Sequence, residues 1–97
     1  MEFVTTHMIG GIRGKPSTPC DVVVDHELYI ERKIKDGVEN ISLDGMVLFI
    51  KKSAWNEKFG SIPKITSVLI FDDRKFQIEA VNDDMGILEI TLGAARG

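Results

Sequence analysis

The sequence predicts a mostly β fold, a small antiparallel β-barrel or sandwich with one short helix and a flexible N-terminal arm. Three observations lead there. Two runs between Lys75 and Leu92 alternate apolar and polar residues with period two. Turn signals recur at short intervals: Asp36-Gly37, Asp44-Gly45, Asp72-Asp73 and Asp83-Asp84. One segment alone, Ser53–Gly60, carries helix signals. A length of 97 residues suits one domain with a small core.

Each element follows from its own residues. Gly10, Gly11, Gly14, Pro16 and Pro19 crowd the first segment, and no apolar period survives there. Met1–Cys20 therefore reads as an arm, with at most one short strand near Phe3–Met8, and residues 21–97 as a single barrel domain. Asp21–Val24 starts the first strand. Leu28–Ile34 reads as a second strand with Leu28 and Ile30 on one side. Asp36-Gly37 turns the chain into Val38–Leu43, and Asp44-Gly45 turns it again. Met46–Ile50 is continuously apolar, as in a strand buried on both sides. In Ser53–Gly60 the serine serves as N-cap and the glycine as helix terminator. Trp55 and Phe59 lie four apart and share one face of that helix. Ile62-Pro63-Lys64 leads into a loop.

Val68–Phe71 is the next strand. Lys75–Val81 turns Phe76, Ile78 and Ala80 inward and Gln77 and Glu79 outward. Ile87–Leu92 turns Leu88, Ile90 and Leu92 inward. The two Asp pairs connect this three-stranded meander. They do not form one metal site, because the strand between them spans roughly 20 Å, whereas Ca²⁺ takes oxygen ligands within about 2.6 Å. Asp accepts positive φ and bonds its own backbone, so these carboxylates turn the chain.

Composition narrows the function. Net charge is −3, with no long run of one sign, which argues against duplex DNA or an anionic membrane as main partner. Cys20 is the single cysteine, so no intrachain disulfide and no Cys-based zinc site is expected. No apolar stretch reaches the length of a membrane helix and no signal-peptide pattern opens the chain. Asn40-Ile41-Ser42 matches the glycosylation triplet but has no secretory context.

Candidate chemistry is sparse. Gly10-Gly11-Ile12-Arg13-Gly14-Lys15-Pro16-Ser17 imitates a phosphate loop, but Pro16 stands where the hydroxyl residue belongs and Ile9 where the first glycine belongs. His7 and His26 are the only histidines; with Asp25 and Glu27 they suggest a metal or proton-transfer group, although exposed turns account for them as well. Cys20 and His26 lack an orienting third residue at a recognisable spacing. Arg32, Lys33, Lys35, Lys51, Lys52 and Lys58 make up the basic surface, balanced by Glu31, Glu39 and Glu57. Trp55 and Phe59 read as core; an exposed Trp55 would instead anchor an interface. The residues thus favour a binding or assembly role, with no catalytic, cofactor-binding or metal residue assigned.

The order of features carries a resemblance. VLFIKKSAW runs a strand straight into a helix; IPKITS, VLIF, KFQIEAV and ILEITLGAARG follow. This resembles the small head–tail connector proteins of long-tailed bacteriophages and prophages, also called head-completion, joining, stopper or minor capsid proteins. In them a short apolar strand precedes a helical turn, and a hairpin ends in a strand finishing Leu-Gly, here Leu92-Gly93. The resemblance covers about Val38–Gly97. It implies a ring in the virion neck that joins portal and adaptor to the tail-terminator protein. It implies synthesis in the host bacterial cytoplasm and packaged DNA passing nearby without specific recognition. It also implies no catalysis, cofactor, membrane or small-molecule substrate. Within such a ring Phe3, Ile12, Arg32, Lys33, Lys35, Asp83, Asp84 and Gly86 are expected at interfaces by position. The alternative from the residues alone is a stand-alone barrel that binds a peptide or a nucleic acid.

Overall fold

A computed structural model describes residues 3–38 and 44–94. Its strands are β1 (Val4–Gly10), β2 (Thr18–Asp25), β3 (Met46–Lys51), β4 (Val68–Phe71), β5 (Arg74–Asp84) and β6 (Ile87–Ala94). They close an antiparallel barrel in the order β1-β2-β3-β6-β5-β4. Two helices decorate it, α1 (His26–Lys35) and α2 (Lys52–Phe59). The mostly β barrel class is as expected; the described residues hold two α-helices, where the helix signals point to one.

Inward-facing residues from all six strands form one core, with Ile9, Val22, Leu48, Leu69, Ile78 and Leu92 essentially inaccessible. Each large apolar side chain so buried contributes about 1.5–3 kcal/mol. α2 starts directly at the end of β3 and adds Trp55 and Phe59 to the core, their ring centroids 4.4 Å apart. Trp55 Nε1 donates to Ser61 O at 2.7 Å, so its one polar atom is satisfied. The helix ends at Gly60, as expected, but Lys51 rather than Ser53 holds the N-cap position.

The N-terminal segment is not an arm. Val4–Gly10 is β1, paired with β2 from Val4↔Val23 to Ile9↔Thr18. The Gly- and Pro-rich stretch is a tight link with a 3-10 turn at Ile12–Gly14. Arg13 seals that link to α2: its guanidinium donates to Phe59 O (3.0 Å) at the helix end and to Ser61 O (3.2 Å) and Ile62 O (3.3 Å) in the segment that follows. β1 escapes an apolar-period search because Thr5 and His7, on the side of Ile9, are polar.

Leu28–Ile34 is helix α1, not a strand. Asp25 caps it, accepting from Leu28 N–H at 2.9 Å. Its end is a Schellman motif in which Gly37 (φ 76°) donates to Ile34 O and Val38 donates to Lys33 O. Asp36-Gly37 therefore terminates a helix and makes no hairpin. The strand expected over Val38–Leu43 falls, apart from Val38, outside the described residues.

α1 packs on the outside of the barrel and buries Tyr29, with Val47 and Thr91 among the buried residues that face outward from β3 and β6. Gly45 makes this possible, because any Cβ there would fall inside the Tyr29 ring. Ion pairs from Arg32 to Glu89 and from Lys33 to Glu79 (2.9 Å) hold the helix down.

The meander β4–β5–β6 matches expectation with two corrections. The first turn is Asp72-Asp73, both with positive φ (48° and 67°), as type I′ hairpins require. The second turn is Met85-Gly86 (52° and 80°), and Asp83-Asp84 belongs to β5. The pairing of β5 with β6 slips between Ile78 and Ala80. This bulge turns Val81 toward the core in place of Ala80.

Candidate functional site

The barrel closes narrowly between β1 and β4. Only Ile9↔Phe71 and Gly10↔Ile70 pair there. β4 then ends, and Asp72 continues the contact: its N–H donates to Met8 O at 2.8 Å, and its Oδ1 accepts from Met8 N–H at 2.9 Å. In an antiparallel ladder both main-chain groups of alternate residues point to the same neighbour. The N–H and C=O of Met8 point toward β4, so those of Thr6 and Val4 point the same way, beyond the end of β4. No strand among the described residues pairs with that edge.

Beside the edge lies His7. Its Nδ1 is 2.6 Å from Asp72 Oδ2, its Nε2 is 2.7 Å from Thr5 Oγ1, and its ring stacks on Phe71 at 4.7 Å. A carboxylate only accepts, so Nδ1 carries a proton in this arrangement. Burial pushes the Asp72 carboxyl up, but bonds from His7 and Met8 outweigh it and hold it below its ordinary value. Hydroxyl, imidazole and carboxylate follow one another as in a nucleophile–base–orienter chain. They lie along an open strand, however, and are absent from the lining of the cavities beside Ile12, Phe49 and Leu28. The arrangement works as a clasp that fastens β1 to the β4–β5 turn.

The outer face of the same strands carries an apolar groove of about 700 Å³. It exists because β2 and β3 diverge: their pairing covers only Val23–Asp25 with Val47–Phe49. Val4, Val23 and Phe49 lie in one cross-strand row on its floor, with Ile87 beside them. Ala54 of α2 walls it, and Asp21, Glu57, Lys51 and Lys58 form a rim of balanced charge. Val4, which is 65% exposed, belongs to both groove and open edge.

The residues expected at interfaces occupy separate places. Phe3, 77% exposed, immediately precedes the open edge. Ile12 is 3% exposed and sits in the core, so it offers no surface. Arg32 and Lys33 are engaged with barrel glutamates, while Lys35 is exposed at the end of α1. Asp83 pairs with Lys52, Asp84 is exposed, and Gly86 completes the hairpin tip beside Met85. No sequence signal marks Val4, Thr6, Val23 and Phe49, since their shared surface arises from strand lengths and pairing.

The remaining candidates fall into structural roles. Trp55 is fully buried. His26 Nδ1 lies 3.1 Å from Gly45 O, at the start of α1. Cys20 is buried, and burial pushes its thiol up, keeping it in the unreactive protonated form. Among the described residues no three His, Cys, Asp or Glu side chains converge as metal ligands, and no helix is long and apolar enough to cross a membrane. Compared with known proteins, the chain matches no family model, no curated protein and no solved structure.

Proposed function

We propose that the protein is a structural assembly module, a small rigid barrel that works by joining protein surfaces. The observation that carries this reading is the apolar row Val4–Val23–Phe49 on the outside of the barrel, continuous with an unpaired strand edge. Exposed apolar ground of this kind, rimmed by polar residues, marks protein contact. Its rim holds two lysines against Asp21 and Glu57, which supplies no excess positive charge for a phosphate backbone.

The particular assembly we propose is the neck of a long-tailed bacteriophage. In it a ring of copies joins portal and adaptor to the tail terminator, without catalysis. The order of elements from β3 to β6 supports this, with β3 running straight into α2 and a closing hairpin that carries Leu92-Gly93 near the end of β6. Electron microscopy of lysates from a phage or induced prophage lacking this gene tests it. DNA-filled heads beside free finished tails are expected. Intact infectious particles would overturn the neck role and favour a stand-alone module whose groove takes an extended peptide.

A further inference from the structure

We propose that the open edge of β1 pairs with the β1 edge of a second copy, antiparallel and two-fold about Thr5. This contact goes beyond the head–tail role and does not rest on it. Among the described residues the free main-chain groups on this edge belong to Val4 and Thr6, because Met8 is occupied by Asp72 and Gly10 by Ile70. A self-pairing centred on Thr5 puts Val4 opposite Thr6 of the second copy and Thr6 opposite Val4 of the second copy. Each such pair exchanges two N–H···O bonds. Every free group is satisfied, and the pairing stops where Asp72 already sits.

Side chains fit the same register. Thr5 meets Thr5 of the second copy in the closer, non-hydrogen-bonded position, a favourable cross-strand pair. Phe3 comes opposite His7 of the second copy, whose ring already stacks on Phe71. That contact covers an aromatic ring otherwise 77% exposed. From Phe3 to Met8 there is no Asp, Glu, Lys or Arg, so no like charges meet across the axis. Edge strands that stay single usually carry such charges, prolines or bulges, and this one has none. The grooves of the two copies then run on across the axis, because Val4 lines each.

Sedimentation of the full chain over a concentration series, with cysteine and charge variants, tests the register. Wild type is expected to dimerise reversibly. Thr5→Cys is expected to form a disulfide-linked dimer under mild oxidation, since close antiparallel pairs place Cα atoms about 4.5 Å apart, within disulfide reach. Thr6→Cys, facing Val4, is expected not to; Cys20 is buried and does not interfere. Thr5→Lys and Thr5→Glu should each weaken dimerisation at least about tenfold, and their mixture should restore it. A monomer at all concentrations overturns the proposal. So does a larger oligomer in which Thr5→Cys fails to cross-link, an outcome that leaves the assembly role standing. If the charge variants do not fold, the contrast between Thr5→Cys and Thr6→Cys decides alone.

Discussion

His7 and Asp72, 65 residues apart, are joined by a 2.6 Å contact between Nδ1 and Oδ2, and this contact extends the shortest seam of the barrel. Asp72 works through three atoms: Oδ2 on His7, Oδ1 on the Met8 N–H, and its own N–H on the Met8 carbonyl. One residue, held at positive φ in a two-residue turn, thus lengthens the seam beyond its two ladder pairs.

Asp72 predicts an acid limb in the stability curve. Its folded carboxyl lies below the ordinary value, so its contribution is present above that value and is lost as pH falls through the folded one. Asp72→Asn keeps the turn, since Asn accepts positive φ, and removes the charge. With this side chain 46% exposed, the cost near neutral pH should stay within about 1 kcal/mol. Urea titrations between pH 3 and 7 should show the wild-type and Asn curves converging in acid.

Tyr29 gives an alkaline signal that reports α1 docking. Burial and the neighbouring Glu79 carboxylate push its phenol up, and a bond to Glu79 likewise pushes the Lys33 ammonium up. Both raised values mean stability held at neutral pH and lost as pH rises beyond about 10. As the single tyrosine, Tyr29 can be followed by absorbance near 295 nm. Its midpoint should lie above that of a free tyrosine, and Glu79→Gln should lower it.

Gly45 sets the distance between α1 and the barrel. Gly45→Ala places a methyl group in the Tyr29 ring and should cost about 1–3 kcal/mol by overpacking. The combination with Tyr29→Ala should cost less than the sum of the two changes, because the clash disappears with the ring. Chemical denaturation of the two single variants and the double variant measures that coupling.

The β5–β6 turn is not optimised for stability. Met85 holds positive φ and is 95% exposed, whereas Asn-Gly is the preferred pair for such a turn. Met85→Asn should therefore stabilise the chain by about 0.5–2 kcal/mol. An unchanged or lower melting temperature would count against this description of the turn.

What could be read in the chain differs by region for physical reasons. Strand β3 announces itself as a continuous apolar run, β5, β6 and helix α2 by an apolar face, and tight turns bound the meander. Leu28 and Ile30 imitate a strand, yet Asp25, Glu27, Arg32, Lys33 and Gly37 are the complete start and stop signals of a helix. Those cap signals outrank a short apolar alternation. The bulge beyond Ile78 is invisible in β5 alone, since it is a property of pairing with β6. The candidate site was hidden for the same reason. Phe3 is expected at an interface only by its place in the N-terminal segment, and the edge beside it exists because β4 stops at Phe71 while β1 runs on.

The central claim is that the outer face of β1, β2 and β3 joins this protein to others. Val23 and Phe49 face each other on that face, half-buried and outside the core cluster, so the double variant Val23→Lys/Phe49→Glu, which sets opposite charges across the pair, should still fold, at some cost in melting temperature. The decisive measurement is the yield of joined particles when this variant replaces the wild type in a phage or prophage that carries the gene. The account predicts a folded protein and heads separated from tails. A full yield of infectious particles from the folded variant would contradict it.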